Sequence, residues 1–129
     1  MSRMGTFYVS CRIENPVNRD RAALVRKMLV DTGSECTWVS ARTLERIGIH
    51  PEKRNETFVL ANGQEITRHV GYAIIRLGDF VTIDEVVFAE PTDLPLLGAR
   101  TLEGLNVTID AARRRIIAAG PRPAAVVTP

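Results

Sequence analysis

Cysteine is scarce in this chain: Cys11 and Cys36 are the only two. That excludes a disulfide scaffold and makes a reducing, cytoplasmic setting the default expectation. Charge of one sign is also lacking, with 17 Lys and Arg against 15 Asp and Glu. Nothing therefore pulls the chain as a whole toward nucleic acid or an anionic membrane, and neither is expected as a partner. No apolar run approaches the ~20 residues that span a bilayer. The leading segment Met1–Ser10 lacks the apolar core of a signal peptide and is expected to enter a strand at once. Histidine is limited to His50 and His69, far apart and without a cysteine or carboxylate cluster at ligand spacing, so no metal site is expected. Trp38 is the only tryptophan, and packing in the core or at a dimer contact is the expected use of so large an aromatic.

What is present fits one domain. The 129 residues are 45% hydrophobic and 25% charged, enough for a single core and too few for two. β patterning dominates. Residues 6–13 read as a first strand and 23–30 as a second, the latter ending abruptly at Asp31-Thr32-Gly33-Ser34. Residues 37–40 form a short strand, after which Ser40 is expected to N-cap a helix running to Ile47, with Gly48 as its stop. His50 to Glu56 reads as a polar loop. Strands then follow at 57–60, 66–77 and 81–89. Asn62-Gly63 between the first two is the strongest short hairpin signal, implying a type I′ turn. A helix is expected at 100–105 and a final hairpin at 107–110 and 115–117, with Arg113-Arg114-Arg115 as a solvated turn between its strands. The division is a folded unit over 1–119 and a tail over 120–129, whose three prolines predict flexibility. Ala41-Arg-Thr-Leu-Glu45 recurs unchanged as Ala99-Arg-Thr-Leu-Glu103, the mark of a duplicated unit of strand, glycine-containing loop and helix.

The chemistry lies at residues 31–34. An aspartate ending a buried strand is costly unless hydrogen-bonded or used. Gly33 permits a tight turn and close approach of another chain, and amides of the loop can donate to the carboxylate. The Thr32 hydroxyl can tie down a neighbouring loop, and Ser34 is expected to hydrogen-bond the carboxylate and favour its ionised form.

On four features in order, residues 6 to 117 resemble the retropepsin-like aspartic proteases. Leu29-Val-Asp-Thr-Gly-Ser34 looks like the family's catalytic loop, and Leu60-Ala-Asn-Gly-Gln64 stands where the family has its flap. Leu96-Leu97-Gly98 looks like its second signature, and the repeated pentapeptide fits its internal pseudo-twofold. The resemblance implies a mostly β half-barrel with two short helices, working as a C2 homodimer. It implies Asp31 as the catalytic group, with Thr32, Gly33 and Ser34 supporting its loop. Glu35, Ala61, Asn62, Gly63 and Gln64 would meet substrate, and Leu97 and Gly98 would support the loop from below. No metal or organic cofactor is implied.

Aspartic proteolysis needs two carboxylates sharing one proton. The second half carries Leu-Leu-Gly, without an acid, at the place taken to correspond to Asp31-Thr-Gly. A second copy of the chain must then supply the partner Asp31, the substrate being a peptide or protein. The pair should titrate as a unit, with activity on the acidic side. The chain departs from the family pattern in Ser34-Glu35-Cys36 after the glycine, in the position of Arg100 and in the added hairpin beyond Asp110. The alternative from another class is a catalytically weak or silent dimerisation or peptide-binding module of the same fold, since one fold serves many functions.

Overall fold

The computed structural model describes residues 7–126. Thr6, expected to open the first strand, the rest of the leading segment over 1–6, and tail residues 127–129 lie outside the described residues. Strands are β1 (Tyr8–Glu14), β2 (Ala22–Val30), β3 (Thr37–Ser40), β4 (Lys53–Val59), β5 (Glu65–Leu77), β6 (Phe80–Ala89), β7 (Leu96–Leu97), β8 (Val107–Asp110) and β9 (Arg115–Ala118). Two short helices, α1 (Ala41–Arg46) and α2 (Ala99–Leu105), complete a mostly β fold consistent with an acid-protease half-barrel.

The main sheet runs β1-β2-β7-β3-β6-β5-β4, and β1 also pairs with β5, so six strands close on themselves. The ring reads the same from both halves. β2 is parallel to β7 as β6 is to β3, and β7 meets β3 antiparallel at the centre. The register fixes the correspondence. Leu29 pairs with Leu96 as Val87 pairs with Trp38, and Val30 pairs with Leu97 as Phe88 pairs with Val39. Trp38 and Leu96 face each other at the centre. The same separation along the chain relates Ala41 to Ala99, so the repeated pentapeptide opens both helices.

That register corrects one expectation. Leu96-Leu97-Gly98 is the counterpart of Trp38-Val39-Ser40, not of Asp31-Thr-Gly, and the counterpart of Asp31 is Ala89. Met28-Leu29-Val30 and Val86-Val87-Phe88 are each buried without alternation, because strands flanked on both sides and covered on both faces leave no polar side. Ile13, Leu44, Ile75 and Leu97 fill the centre.

Three local readings also change. The stretch His50 to Glu56 is not all loop, since β4 begins at Lys53. Its residues are solvated on an edge, so no apolar alternation marks it. The 60–64 turn is not type I′. Gly63 N–H donates to Leu60 C=O at 2.8 Å, Leu60 N–H to Gln64 C=O at 2.8 Å, and only Gly63 has positive φ (87°). This is a three-residue loop with glycine in the left-handed position. Ser40 stands at the start of α1 without a side-chain cap, its backbone finishing the parallel ladder opposite Ala89. Gly48 does end α1, at φ 79°. The tail begins docked: Asn106 donates to Gly120 C=O (2.7 Å), and Arg122 donates to the carbonyls of Glu103 and Gly104 at the end of α2 (both 2.9 Å).

Where β1 meets β5, Glu14 is buried with one carboxylate oxygen, Oε2, accepting from Arg12 Nε (2.9 Å) and Arg76 Nε (2.7 Å). Burial alone would raise its pKa, but the two guanidiniums win and hold it below the usual 4.5. A carboxyl depressed in the folded state stabilises above its unfolded pKa and loses that contribution as pH falls through the folded value. Denaturant titrations should therefore show stability declining as pH drops below 4.5. Glu14→Gln should cost ~1–3 kcal/mol at neutral pH and flatten part of that decline. An unchanged acid slope in the variant would show that the pair contributes nothing.

Candidate functional site

β2 ends inside the body and delivers Asp31 beside β7, where its N–H donates to Leu97 C=O at 3.0 Å. The chain then turns at once. Ser34 N–H donates to Asp31 C=O (3.3 Å) and Gly33 N–H to Asp31 Oδ1 (2.9 Å). A Cβ on Gly33 would stand 3.1 Å from that same oxygen, so any larger residue would press on the carboxylate. Ser34 departs from expectation: its hydroxyl donates to Cys36 C=O at 3.0 Å, because the turn carries the side chain toward the following residues.

Beneath the loop lies Gly98. A Cβ there would meet the carbonyl oxygens of Cys36 at 2.4 Å and Glu35 at 2.8 Å. Ala99 N–H donates to Ser34 C=O (2.8 Å) and Arg100 N–H to Glu35 C=O (3.1 Å). The Gly98 amide itself donates to Thr37 Oγ1 at 3.0 Å. Thr37 and Thr101 are fully buried with hydroxyls 2.6 Å apart, and Thr101 donates to Asp84 Oδ2 at 2.9 Å. Proton bookkeeping settles the order. The Thr101 hydrogen goes to the carboxylate, so Thr37 must donate to Thr101 while accepting from Gly98.

Asp31 faces a cleft of about 940 Å³. Asp31, Gly33, Ser34, Glu35 and Trp38 line one side, the β4–β5 hairpin the other, and Leu94 and Leu96 form a wall. Of the expected flap residues Ala61 lines the cleft, whereas Asn62, Gly63 and Gln64 do not and are exposed at the hairpin tip. There the Asn62 side chain accepts from Gln64 N–H (2.9 Å), fixing the turn rather than facing the cavity. Thr32 is exposed and points elsewhere, lining a second hollow of about 350 Å³ with Leu102, Val107 and Ile109.

Several cleft groups were not expected from sequence. Trp38, assigned to packing, lines the cleft and meets Phe58 edge-on, centroids 5.2 Å apart. Phe58, the one aromatic residue of β4, was the available signal. Arg68 binds Asp93 through two hydrogen bonds (2.7 and 2.9 Å), clamping the 90–95 loop that carries Leu94 onto β5. The Arg68 hydrogen bonds hold the Asp93 carboxyl below its ordinary range. Glu85 is likewise lowered, first by hydrogen bonding from Lys53 and then by Arg100. Burial pushes the Cys36 thiol up against the pull of Arg100, which keeps it protonated and a poor nucleophile at neutral pH. Arg100 reaches Glu35 at 3.7 Å despite its shifted place after the glycine.

The family model described as aspartyl protease matches residues 17–105, from the β1–β2 connection to the end of α2. Comparison with curated proteins finds no match.

Gly98→Ala should cost ~1–3 kcal/mol or more in urea unfolding, because the clashes with the Glu35 and Cys36 carbonyls involve backbone that cannot yield cheaply. Thr101→Val should cost ~1–3 kcal/mol by stranding Asp84 and Thr37, with Thr101→Ser near wild type.

Proposed function

Since the chain belongs to the retropepsin-like aspartyl protease family, we propose that it is an aspartic endopeptidase whose site is completed by a second copy of itself. The observation that carries this reading is Asp31: a carboxylate at the cleft, held by the amide of its own turn, with no other carboxylate sharing its hydrogen bonds among the described residues. The chain's own internal repeat offers no second acid, because Ala89 occupies the matching place.

In the dimer the two Asp31 side chains share one proton. The ionised one takes a proton from water as the water oxygen bonds to the scissile carbonyl carbon. The protonated one gives its proton to the carbonyl oxygen. The gem-diol then collapses: the Asp31 that took the water proton gives it to the amide nitrogen, a diol hydroxyl returns its proton to the other Asp31, and the C–N bond breaks, leaving acid, amine and a singly protonated pair. Gly33 keeps the carboxylate oriented, and Thr32 ties the two loops together across the axis. Leu97 and Gly98 fix the loop from below, and Ser34 acts only through the loop's own backbone. The substrate would lie extended between loop and hairpin, meeting Glu35 and Ala61, with apolar side chains against Trp38, Leu94 and Leu96.

The test is a diverse peptide pool incubated with wild type and Asp31→Asn between about pH 4 and 7, read by mass spectrometry, over the range where a carboxylate dyad changes protonation. Defined cuts between apolar residues should appear with wild type alone. At constant total protein, replacing wild type by Asp31→Asn should lower activity as the square of the wild-type fraction, because mixed dimers lack a complete pair. Folded, dimeric protein that makes no Asp31-dependent cut is instead a peptide-binding or dimerisation module.

A further inference from the structure

Two side-chain contacts tie β4 to the body across the cleft. Phe58 is the one residue of β4 that is not exposed, and it rests edge-on against Trp38 at 62°. Nearer the root, Lys53 Nζ donates to Glu85 Oε1, while Glu85 Oε2 accepts from Arg100 at 3.2 Å. Arg100 in turn lies 3.7 Å from Glu35. A row of alternating charges thus runs from the hairpin through β6 and α2 to the loop that carries Asp31. Glu85 stands in its middle and is the least exposed of the four, its side chain 16% accessible against 43–75% for the others. Between the two contacts the ladder slips its register from Lys53 to Glu56, and Asn55 sits left-handed at φ 54° with its N–H on His69 Nδ1 (3.1 Å). A bulge of this kind bends a strand.

We propose that Glu85 is a positioning residue that sets how far the cleft opens. Through Lys53 it anchors the root of the hairpin, and through Arg100 it holds that root at a fixed distance from the Glu35 loop. With the root fixed, the arm beyond the Asn55 bulge keeps Phe58 on Trp38 and the cleft narrow at that end. An extended peptide passing between hairpin and loop has to part the two rings, so the ionic row governs the ease of entry. Exposed ion pairs weaken as salt rises, which makes opening dependent on ionic strength. The inference rests on the reading of the cleft as the peptide site.

Its test does not need cleavage. Trp38 is the only tryptophan, so quenching of its emission by neutral acrylamide reports how well Phe58 covers it. Phe58→Ala marks the fully uncovered limit. Glu85→Gln and Lys53→Met should each raise the population of the uncovered state by about 1.5-fold to fivefold, the range expected for ion pairs of this exposure. Wild type should move the same way between about 0.05 and 1 M KCl, and Glu85→Gln should not respond. The measurements are repeated in Asp31→Asn protein, so failure of the protease reading leaves this outcome intact. Equal quenching in wild type, Lys53→Met and Glu85→Gln overturns the proposal, as does a salt response that persists in Glu85→Gln. If Glu85→Gln does not fold, Lys53→Met together with the wild-type salt series decides the matter.

Discussion

How closely two segments of the chain can approach at Gly98 governs the arrangement around Asp31. A side chain there would occupy the space of the Glu35 and Cys36 carbonyl oxygens. Without one, the start of α2 comes near enough for its amides to bind Ser34 and Glu35 C=O. The loop is therefore held by the second half of the chain, and the Asp31 carboxylate inherits its orientation from that contact. Thr37, Thr101 and Asp84 extend the same support into the body through a chain of hydrogen bonds with every donor assigned. Buried polar groups of this kind rigidify when fully satisfied.

The closed ring explains why so small a chain can build such a support. Each half contributes two antiparallel strands and a short third strand that leads into a helix. Each half's third strand then inserts beside the other half's second strand. Neither half can bury its apolar strand ends alone. The site residues sit at this crossing, where backbone from both halves fixes the geometry.

Much of this was legible in the sequence, and the parts that were not share a cause. Asp31-Thr-Gly could be read because buried strand, acid and glycine each leave a local mark. The repeated pentapeptide showed the duplication, yet only strand register could show that Ala89, not Leu96-Leu97-Gly98, matches Asp31. The first part of β4 escaped notice because Lys53 to Glu56 owe their extended form to pairing with β5 and carry no apolar period. Trp38 read as packing because its partner Phe58 approaches from a remote strand. Ser34 failed as a carboxylate ligand through the direction of a turn, which composition does not encode. Glu85 and Arg100 are ordinary surface charges until β6 and α2 are placed together.

The matched register also sets where the chain can change length. Insertion or deletion of a residue inside β2, β3, β6 or β7 would put one half out of step with the other and shift apolar side chains to the wrong face. The outer part of the β4–β5 hairpin answers to no such partner. Its strands pair only with each other there, so residues can be gained or lost in pairs without disturbing the ring. Variation in reach over the cleft is thus available to this architecture at the hairpin, while the crossing that holds Asp31 is bound to a fixed count.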